Sequence, residues 1–365
     1  MAIISLGKLD KNLIPILIGC IICFLSRLLF LYDGTTLFDH GIISNIIVNF
    51  SKLFAIIPHI IFRRQTNNDN KVEDIKDNNN TKLELIYTDY SDDTPIIKDK
   101  YKYIFLSSSL YFIQGVLHLF TIKIHSNTWT LDILFTLIFY YLIFKIKLYK
   151  HHYLSIILII LIGIVLDLVL GNLQNDISKN IVLFLLRLLR EILYSCFEVI
   201  NKYLMEKKLC SVYELIFWNG LIGLILLGMF TIFDYYFFYL DDYKEYFNKF
   251  NYKEIFVIFG FIITQLGLSL FILFTSKNNT PCHIFIILVF GHFAYYIESF
   301  TDSYVKIICL ILILFMSLIF CEIIEINFCG LSKNTKNNIV ERAEIEVIYL
   351  EENELNDEDD ENMSL

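Results

Sequence analysis

Charged residues are scarce in this chain. They make up 19% of its 365 residues, whereas hydrophobic residues make up 56%. The mean hydropathy of +0.57 is too high for a soluble globular protein of this size. The composition therefore excludes a soluble globular fold and predicts that most of the chain lies in lipid.

The chain also lacks the motifs that mark several enzyme classes. It has no P-loop, no glycine-rich nucleotide loop and no serine-hydrolase elbow, which also argues against an ATP-driven pump. The eight cysteines lie in or beside apolar runs without paired spacing, so we interpret them as small apolar residues. The only histidine pair, His151 and His152, lies in a basic loop and is interpreted as a solvated turn. We expect no enzyme activity, no cofactor and no metal.

Ten apolar runs are long enough, at about 20 residues, to cross a bilayer as helices. No small-residue cleavage site follows the first run, so we treat it as a spanning helix rather than a signal peptide. The predicted fold class is all-α, a polytopic membrane protein. The runs cover residues 12–31, 39–62, 103–123, 128–147, 152–171, 180–204, 211–239, 254–275, 282–300 and 303–325.

The connections between the runs predict which side of the membrane each one faces. Basic residues concentrate in the even-numbered connections, such as KIKLYKHH (145–152) and EKK (206–208). The positive-inside rule therefore places these connections and both termini in the cytosol. Residues 63–100 are predicted to form a disordered cytosolic loop, and the acidic tail 329–365 a disordered cytosolic segment.

Ten runs divide into two halves of five, residues 1–171 and 172–328, around a short connection predicted at 171–179. Because five is odd, the halves would have opposite orientations, as in inverted-repeat transporters. The first run of each half carries arginine, at Arg27 in one and at Arg187 and Arg190 in the other.

The sixth run (180–204) carries five charges, and the basic turn EKK follows it in LFLLRLLREILYSCFEVINKYLMEKK (183–208). At about 100° per residue, these charges and two polar residues share a face about 140° wide. A charge at the bilayer centre costs roughly 2.5–3.5 kcal/mol, so the face is predicted to line a wet cavity or contact partner helices. The charged members are Arg187, Arg190, Glu191, Glu198 and Lys202, and the polar members are Ser195 and Asn201.

Spacing of four residues allows the ion pairs Arg187–Glu191 and Glu198–Lys202 within this helix. These pairs have two interpretations: they line a substrate or ion pathway, or they only fix the packing of the helices. Polar residues on other runs are predicted to turn toward the same centre. They are Asn45, Asn49, Lys52, His59, Tyr111, Gln114, His118, Asp132, Asp167, Glu214, Asn219, His283, His292 and Glu298. For His118 or His292 alone, packing is the alternative to proton transfer.

The segment EVINKYLMEKKLCSVYELIFWNGLIGLIL (198–226) resembles the middle of proteins in the drug/metabolite transporter superfamily. The likeness is to the eukaryotic, nucleotide-sugar-transporter-like branch. This likeness rests on four features: a glutamate–lysine pair, a basic turn, the helix start at Ser211 and Glu214, and the aromatic–glycine stretch 217–223. The segment CEIIEINFCGLSKNTKNNIVERAE (321–344) also resembles the end of protist members. The resemblance implies a ten-helix inverted-repeat carrier in an endomembrane, such as the Golgi, the ER or a vacuole.

The leading interpretation is a secondary carrier that binds a small anionic solute between the halves, such as a phosphorylated metabolite or nucleotide sugar. Expected partners are this solute, the lipid bilayer and a second copy of the chain, but not nucleic acid. A non-transporting scaffold and a membrane-embedded enzyme are the alternatives. Predicted substrate-binding residues are Lys52, Gln114, Arg187, Arg190, Glu191, Glu198 and Lys202, and predicted coupling residues are Glu191, Glu198 and His118.

Overall fold

The structure is a computed structural model, and it describes nine stretches of the chain. They are residues 4–6, 11–33, 41–61, 99–121, 128–145, 149–169, 172–237, 252–298 and 304–326. The predicted disordered loop, apart from its last two residues, and the acidic tail 329–365 lie outside these stretches. Within them the helices are joined by short turns, and the strands form one short antiparallel pair, in which β1 (Ile4–Leu6) bonds to β2 (Ile324–Ile326).

Each of the ten predicted runs contains a helix in the described part of the chain. Three of these helices begin with a short 3₁₀ turn, at Lys11–Leu13, Thr128–Leu131 and Pro281–His283. The helices are α1 (Ile14–Asp33), α2 (Gly41–Leu53), α3 (Lys100–Thr121), α4 (Asp132–Phe144), α5 (Lys150–Val169), α6 (Asn172–Lys207), α7 (Val212–Phe237), α8 (Tyr252–Asn278), α9 (Ile284–Glu298) and α10 (Tyr304–Phe320).

Four helical segments in the described part are long and apolar enough to cross a membrane: Gly41–Ile61, Lys100–Thr121, Val212–Tyr236 and Ile255–Asn278. Large apolar side chains on their outer faces are exposed, including Phe256 at 75% and Phe259 at 63%. Such surface needs lipid around it, and the chain is a membrane protein. Shorter apolar helices are Ile14–Leu29, Thr128–Phe144, Lys150–Leu166, Pro281–His292 and Ile307–Phe320.

The connection predicted at 171–179 is not a loop. From Asn172 onward it forms the first turns of α6, which runs for 36 residues to Lys207. No glycine or proline interrupts this stretch, and the other residues there tolerate a helix. At 1.5 Å per residue α6 is about 54 Å long, well beyond the ~30 Å hydrocarbon core of a bilayer.

The histidine pair is also placed differently from its prediction. His151 and His152 lie in the first turn of α5 and are only 3% and 5% exposed, so the predicted solvated turn is wrong. The His152 ring packs 4.6 Å from that of Phe320 on α10. Packing of α5 on α10 buries both rings, which the basic composition of the surrounding loop did not indicate.

Pro58 follows a break in α2. The helix stops at Leu53, turns through Phe54 and Ala55, and resumes over residues 56–61. Before the break, the N–H groups of Phe54 and Ala55 bond three residues back, at 3.2 and 3.1 Å. The proline ring has no N–H and disturbs the preceding turn of the helix. Lys52, one residue before the helix stops, lies at the edge of this break.

Each half of the chain packs mainly on the other. α6 lies against α3 and α4, whereas α1 lies against α8 and α9. α2 packs on α7 and α8, α3 also contacts α7, and α5 packs on α10. Side chains of α6 therefore face elements from the first half, which is where the candidate site lies.

Candidate functional site

The polar face of α6 is buried, as its periodicity predicts. Its buried members are exposed by at most 3%: Glu191, Ser195, Glu198, Asn201 and Lys202. The side chains of Arg187 and Arg190 are 12% and 14% exposed. Their neighbours are polar groups of α3, α4 and α8, so this face is an interior surface between helices.

Two arginines of α6 share one carboxylate. The Arg190 guanidinium pairs with Oε1 of Glu191, and Arg187 Nε lies 3.6 Å from the same oxygen. The hydroxyl of Thr128 donates to this oxygen at 3.3 Å and accepts from Arg187 Nε at 3.2 Å. Arg190 also lies 2.8 Å from Nδ1 of His118 on α3. The predicted Arg187–Glu191 pair is present, within a larger network than predicted.

A third arginine approaches from the first helix of the chain. Arg27 of α1, like Arg187 and Arg190, is close enough to His118 and His292 to act electrostatically on both rings. His292 stacks on Trp129, with ring centroids 4.2 Å apart. Arg27, Arg187 and Arg190 are called the arginine cluster below. The sequence places arginine in the first helix of each half, and nothing in it indicates that these residues act on the same two histidines.

A pair of buried carboxyl groups lies further along α6. Ser195 Oγ donates to a carboxylate oxygen of Asp132, which begins α4 and is 2% exposed. Thr136, one turn later on α4, donates to Oε2 of Glu198 at 3.3 Å. Glu198 Oε1 has no hydrogen-bond partner among the described residues. Asp132 and Glu198 are called the carboxyl pair below. Asp132 was predicted only to face inward, and Thr136 gave no sequence signal.

Lys52 lies beside this centre rather than within it. It is 5% exposed, and its Nζ stands 3.5 Å from the centroid of the Tyr111 ring on α3. Such a cation–π contact contributes about 2 kcal/mol when desolvated. No described carboxylate pairs with Lys52. Half-buried Gln114 lies on α3 between Tyr111 and His118 in sequence, three and four residues away.

Lys202 is paired differently from its prediction. Its ammonium binds Glu206 at 2.7 Å and the carbonyl oxygens of Lys277 and Asn279 at 2.9 and 2.8 Å. The predicted Glu198–Lys202 pair is therefore wrong. The carbonyls at the end of α8 lack helical partners and attract a cation, so Lys202 ties α6 to α8. Fifteen residues separate Arg187 from Lys202, about 22 Å along the helix.

Several other predicted inward residues form fixed contacts between helices. Glu214 pairs with Lys100 at 2.8 Å, joining the starts of α7 and α3. Asn219 accepts a hydrogen bond from Ser108 at 2.7 Å. These contacts are those of polar residues that fix the packing of the helices. The side chains of Asp167 and Glu298 lie outside the described part of the chain.

No protein-family model matches this chain, and no curated protein matches it in sequence. Its function is therefore argued from the geometry of the arginine cluster and the carboxyl pair.

Proposed function

We propose that this chain is a secondary transporter of a small anionic metabolite, of the drug/metabolite transporter type. The observation that carries the proposal is the arginine cluster. Two guanidinium groups of α6 bind one buried carboxylate, and Arg27 of α1 acts electrostatically on the same two histidines as they do. Buried cations at membrane depth are expensive and mark substrate pathways.

The packing of the helices supports an inverted repeat of five plus five. Adding five to each helix number of the first half, and subtracting five from each of the second half, converts one observed contact into another. α6 packs on α3 and α4, and correspondingly α1 packs on α8 and α9. The contact of α3 with α7 corresponds to that of α8 with α2. The contacts α2–α7 and α5–α10 are each converted into the same contact. Both α4 and α9 also begin with a 3₁₀ turn.

An anion would occupy the place of Glu191 in this network. Arginine binds phosphate and carboxylate through two parallel hydrogen bonds, and Arg187 and Arg190 already converge on one oxygen. Gln114 and His118 would supply neutral hydrogen bonds beside it. We propose a phosphorylated metabolite or nucleotide sugar as substrate, with Glu191 holding the arginines when the site is empty.

The carboxyl pair is proposed to carry a coupling proton. Glu198 is 2% exposed, and one of its oxygens has no hydrogen-bond partner in the described part of the chain. A carboxyl group changes its proton affinity when its hydration changes. Separation of α4 from α6 would change that hydration and couple access to proton binding. Both termini are proposed to face the cytosol, in an endomembrane.

The test is thermal unfolding of the purified protein against a panel of solutes. It includes nucleotide sugars, nucleoside monophosphates, sugar phosphates, organic acids, amines and neutral sugars. A ligand at 100 times its dissociation constant adds about 2.7 kcal/mol to the stability of the folded protein. We expect stabilisation by one class of anion, lost in Arg190→Ala.

Lys102→Ala is the matched control, because Lys102 is 83% exposed and 3.9 Å from its acidic partner. This variant also removes one cation but should keep the wild-type response. If no solute stabilises the wild type and Arg190→Ala only melts earlier, the arginine cluster is structural. A non-transporting scaffold would then replace the proposal.

A further inference from the structure

We propose that His151, His152 and Glu322 form a binding site for a divalent transition-metal ion of the Zn²⁺ class. The three residues offer ligand atoms within 4.8 Å of one another. They lie where α5 begins and α10 ends, away from the arginine cluster. Two imidazoles and one carboxylate are a donor set that zinc uses, with a fourth position left for water or another ligand.

The first argument is the state of His151. Its ring is buried, and neither Nδ1 nor Nε2 makes a hydrogen bond within the described residues. Nε2 lies 3.1 Å from Oε1 of Glu322, off the line that a hydrogen bond requires. Two ligands on a tetrahedral Zn²⁺, each at about 2.0–2.1 Å, stand roughly 3.3 Å apart. The spacing therefore fits two ligands of one ion.

The second argument is the backbone of Glu322. The N–H of Glu322 bonds to the carbonyl of Ile319, and that of Ile323 to the carbonyl of Leu318, both at 3.1 Å. This pattern is a Schellman motif, whose left-handed residue is usually glycine. Glu322 occupies it with φ of 59°, at a cost of roughly 1–2 kcal/mol. A strained non-glycine residue indicates that its side chain has a role.

His152 is the third proposed ligand, and its coordination requires that one hydrogen bond break. Its Nε2 lies 3.9 Å from Oε1 of Glu322. Its Nδ1 accepts a 3.3 Å hydrogen bond from the N–H of Tyr149, at the weak end of such bonds. A ligating imidazole carries its proton on the other nitrogen, so coordination requires this bond to give way. Phe320, with its ring 4.6 Å from that of His152, shields the site from water.

A bound ion would fasten the β1–β2 sheet at this point. Glu322 lies two residues before β2, and β2 pairs with β1, which precedes α1. The ion would therefore hold the sheet and α10 to the start of α5. This proposal departs from the expectation, drawn from sequence, that the chain has no metal site.

The experiment uses the full-length protein, stripped of metal with a chelator. Zn²⁺ alone is added at equilibrium and counted by elemental analysis, with Mg²⁺ for comparison because it prefers oxygen ligands and octahedral geometry. We expect one tightly bound Zn²⁺ per chain, a higher Tm with Zn²⁺, and no response to Mg²⁺. Co²⁺ in place of Zn²⁺ should give visible bands without the thiolate charge-transfer band that cysteine ligands produce.

Glu322→Gly is the decisive variant. Glycine adopts the left-handed conformation without strain, so the metal-free variant should fold and melt no lower than the wild type. Loss of a direct ligand should weaken Zn²⁺ binding by more than about 100-fold, which is the most that loss of a group hydrogen-bonded to a ligand usually costs. His151→Asn should do the same. His59→Asn, a half-buried histidine that contacts Ser211, is the matched control and should bind normally.

Two results would overturn the proposal. One is a wild-type chain that binds no Zn²⁺ tightly. The other is unchanged Zn²⁺ binding in both Glu322→Gly and His151→Asn, because the metal would then be held elsewhere, as by the buried cysteines.

Discussion

Arg190 forms an ion pair with Glu191, its immediate neighbour in the sequence. Adjacent helix residues point about 100° apart and do not normally face each other. A second nitrogen of the Arg190 guanidinium lies 2.8 Å from Nδ1 of His118 on α3, so the side chain is held between two partners. Arg187 reaches the same carboxylate oxygen. In the proposed transporter, Glu191 occupies the position that a bound anion would take.

Glu191→Gln tests this relationship. The variant keeps the shape of the side chain but leaves two nearly buried arginines without their carboxylate. The free energy of unfolding should fall by about 3 kcal/mol, as when one partner of a buried ion pair is removed. Because Glu191 no longer competes, anion affinity should rise about tenfold or more, which is 1.4 kcal/mol. Thermal unfolding with and without the anion measures both effects.

Glu206→Gln on the same helix is the control for this variant. Its carboxylate is 38% exposed and binds Lys202, which keeps two carbonyl partners. We expect a loss under about 1 kcal/mol and unchanged anion affinity. Weaker anion binding in Glu191→Gln would show that Glu191 does not stand in for the solute.

Glu198→Gln should separate binding from proton coupling. The amide keeps a hydrogen-bond acceptor for Thr136 at the 3.3 Å contact but cannot exchange a proton. We expect solute to stabilise this variant as it does the wild type, while uptake into vesicles no longer responds to an imposed pH gradient. Uptake by Glu206→Gln should keep the wild-type response. Retained gradient dependence in Glu198→Gln would assign the proton to another group.

Gly220 on α7 allows α2 to approach closely. A Cβ atom at this position would lie 2.7 Å from Cβ of Lys52 and 2.8 Å from the carbonyl oxygen of Asn49. Gly220→Ala should therefore destabilise the protein by about 1–3 kcal/mol, the cost of overpacking. Thermal unfolding of the purified variant measures the change.

Gly228, two turns later on α7, is a matched control. A Cβ atom there would meet nothing within 4 Å. Gly228→Ala should be neutral or stabilise the helix by up to about 1 kcal/mol, because alanine favours a helix over glycine. Equal effects of the two variants would contradict close packing of α2 on α7.

Cys210, in the turn between α6 and α7, should be unreactive in the folded protein. Burial raises the pKa of its thiol well above the ordinary range, and the negative charge of Glu214 raises it further. The thiolate is the form that reacts with iodoacetamide. At about pH 8.5, the ordinary thiol pKa, the Cys210 thiol should therefore stay protonated and should not react. Peptide mass spectrometry should find Cys210 alkylated only after unfolding, and equal rates in both states would refute this.

Local patterns determined the helices and the direction of the α6 polar face. Apolar run length located every helix in the described part of the chain, and a 3.6-residue period placed Glu191, Ser195 and Glu198 on the buried side. Each of these features depends on residues within a few turns of one helix.

Only the tertiary structure decided which polar groups meet. Lys202 has a glutamate four residues away on either side in α6, Glu198 and Glu206, and it pairs with Glu206 where packing of α6 on α8 brings two carbonyl oxygens to the same ammonium. Packing of α5 on α10 buried His151 beside Glu322, 171 positions away in sequence. Buried polar groups take whatever partners the packed helices bring to them, and helix packing is a property of the whole chain.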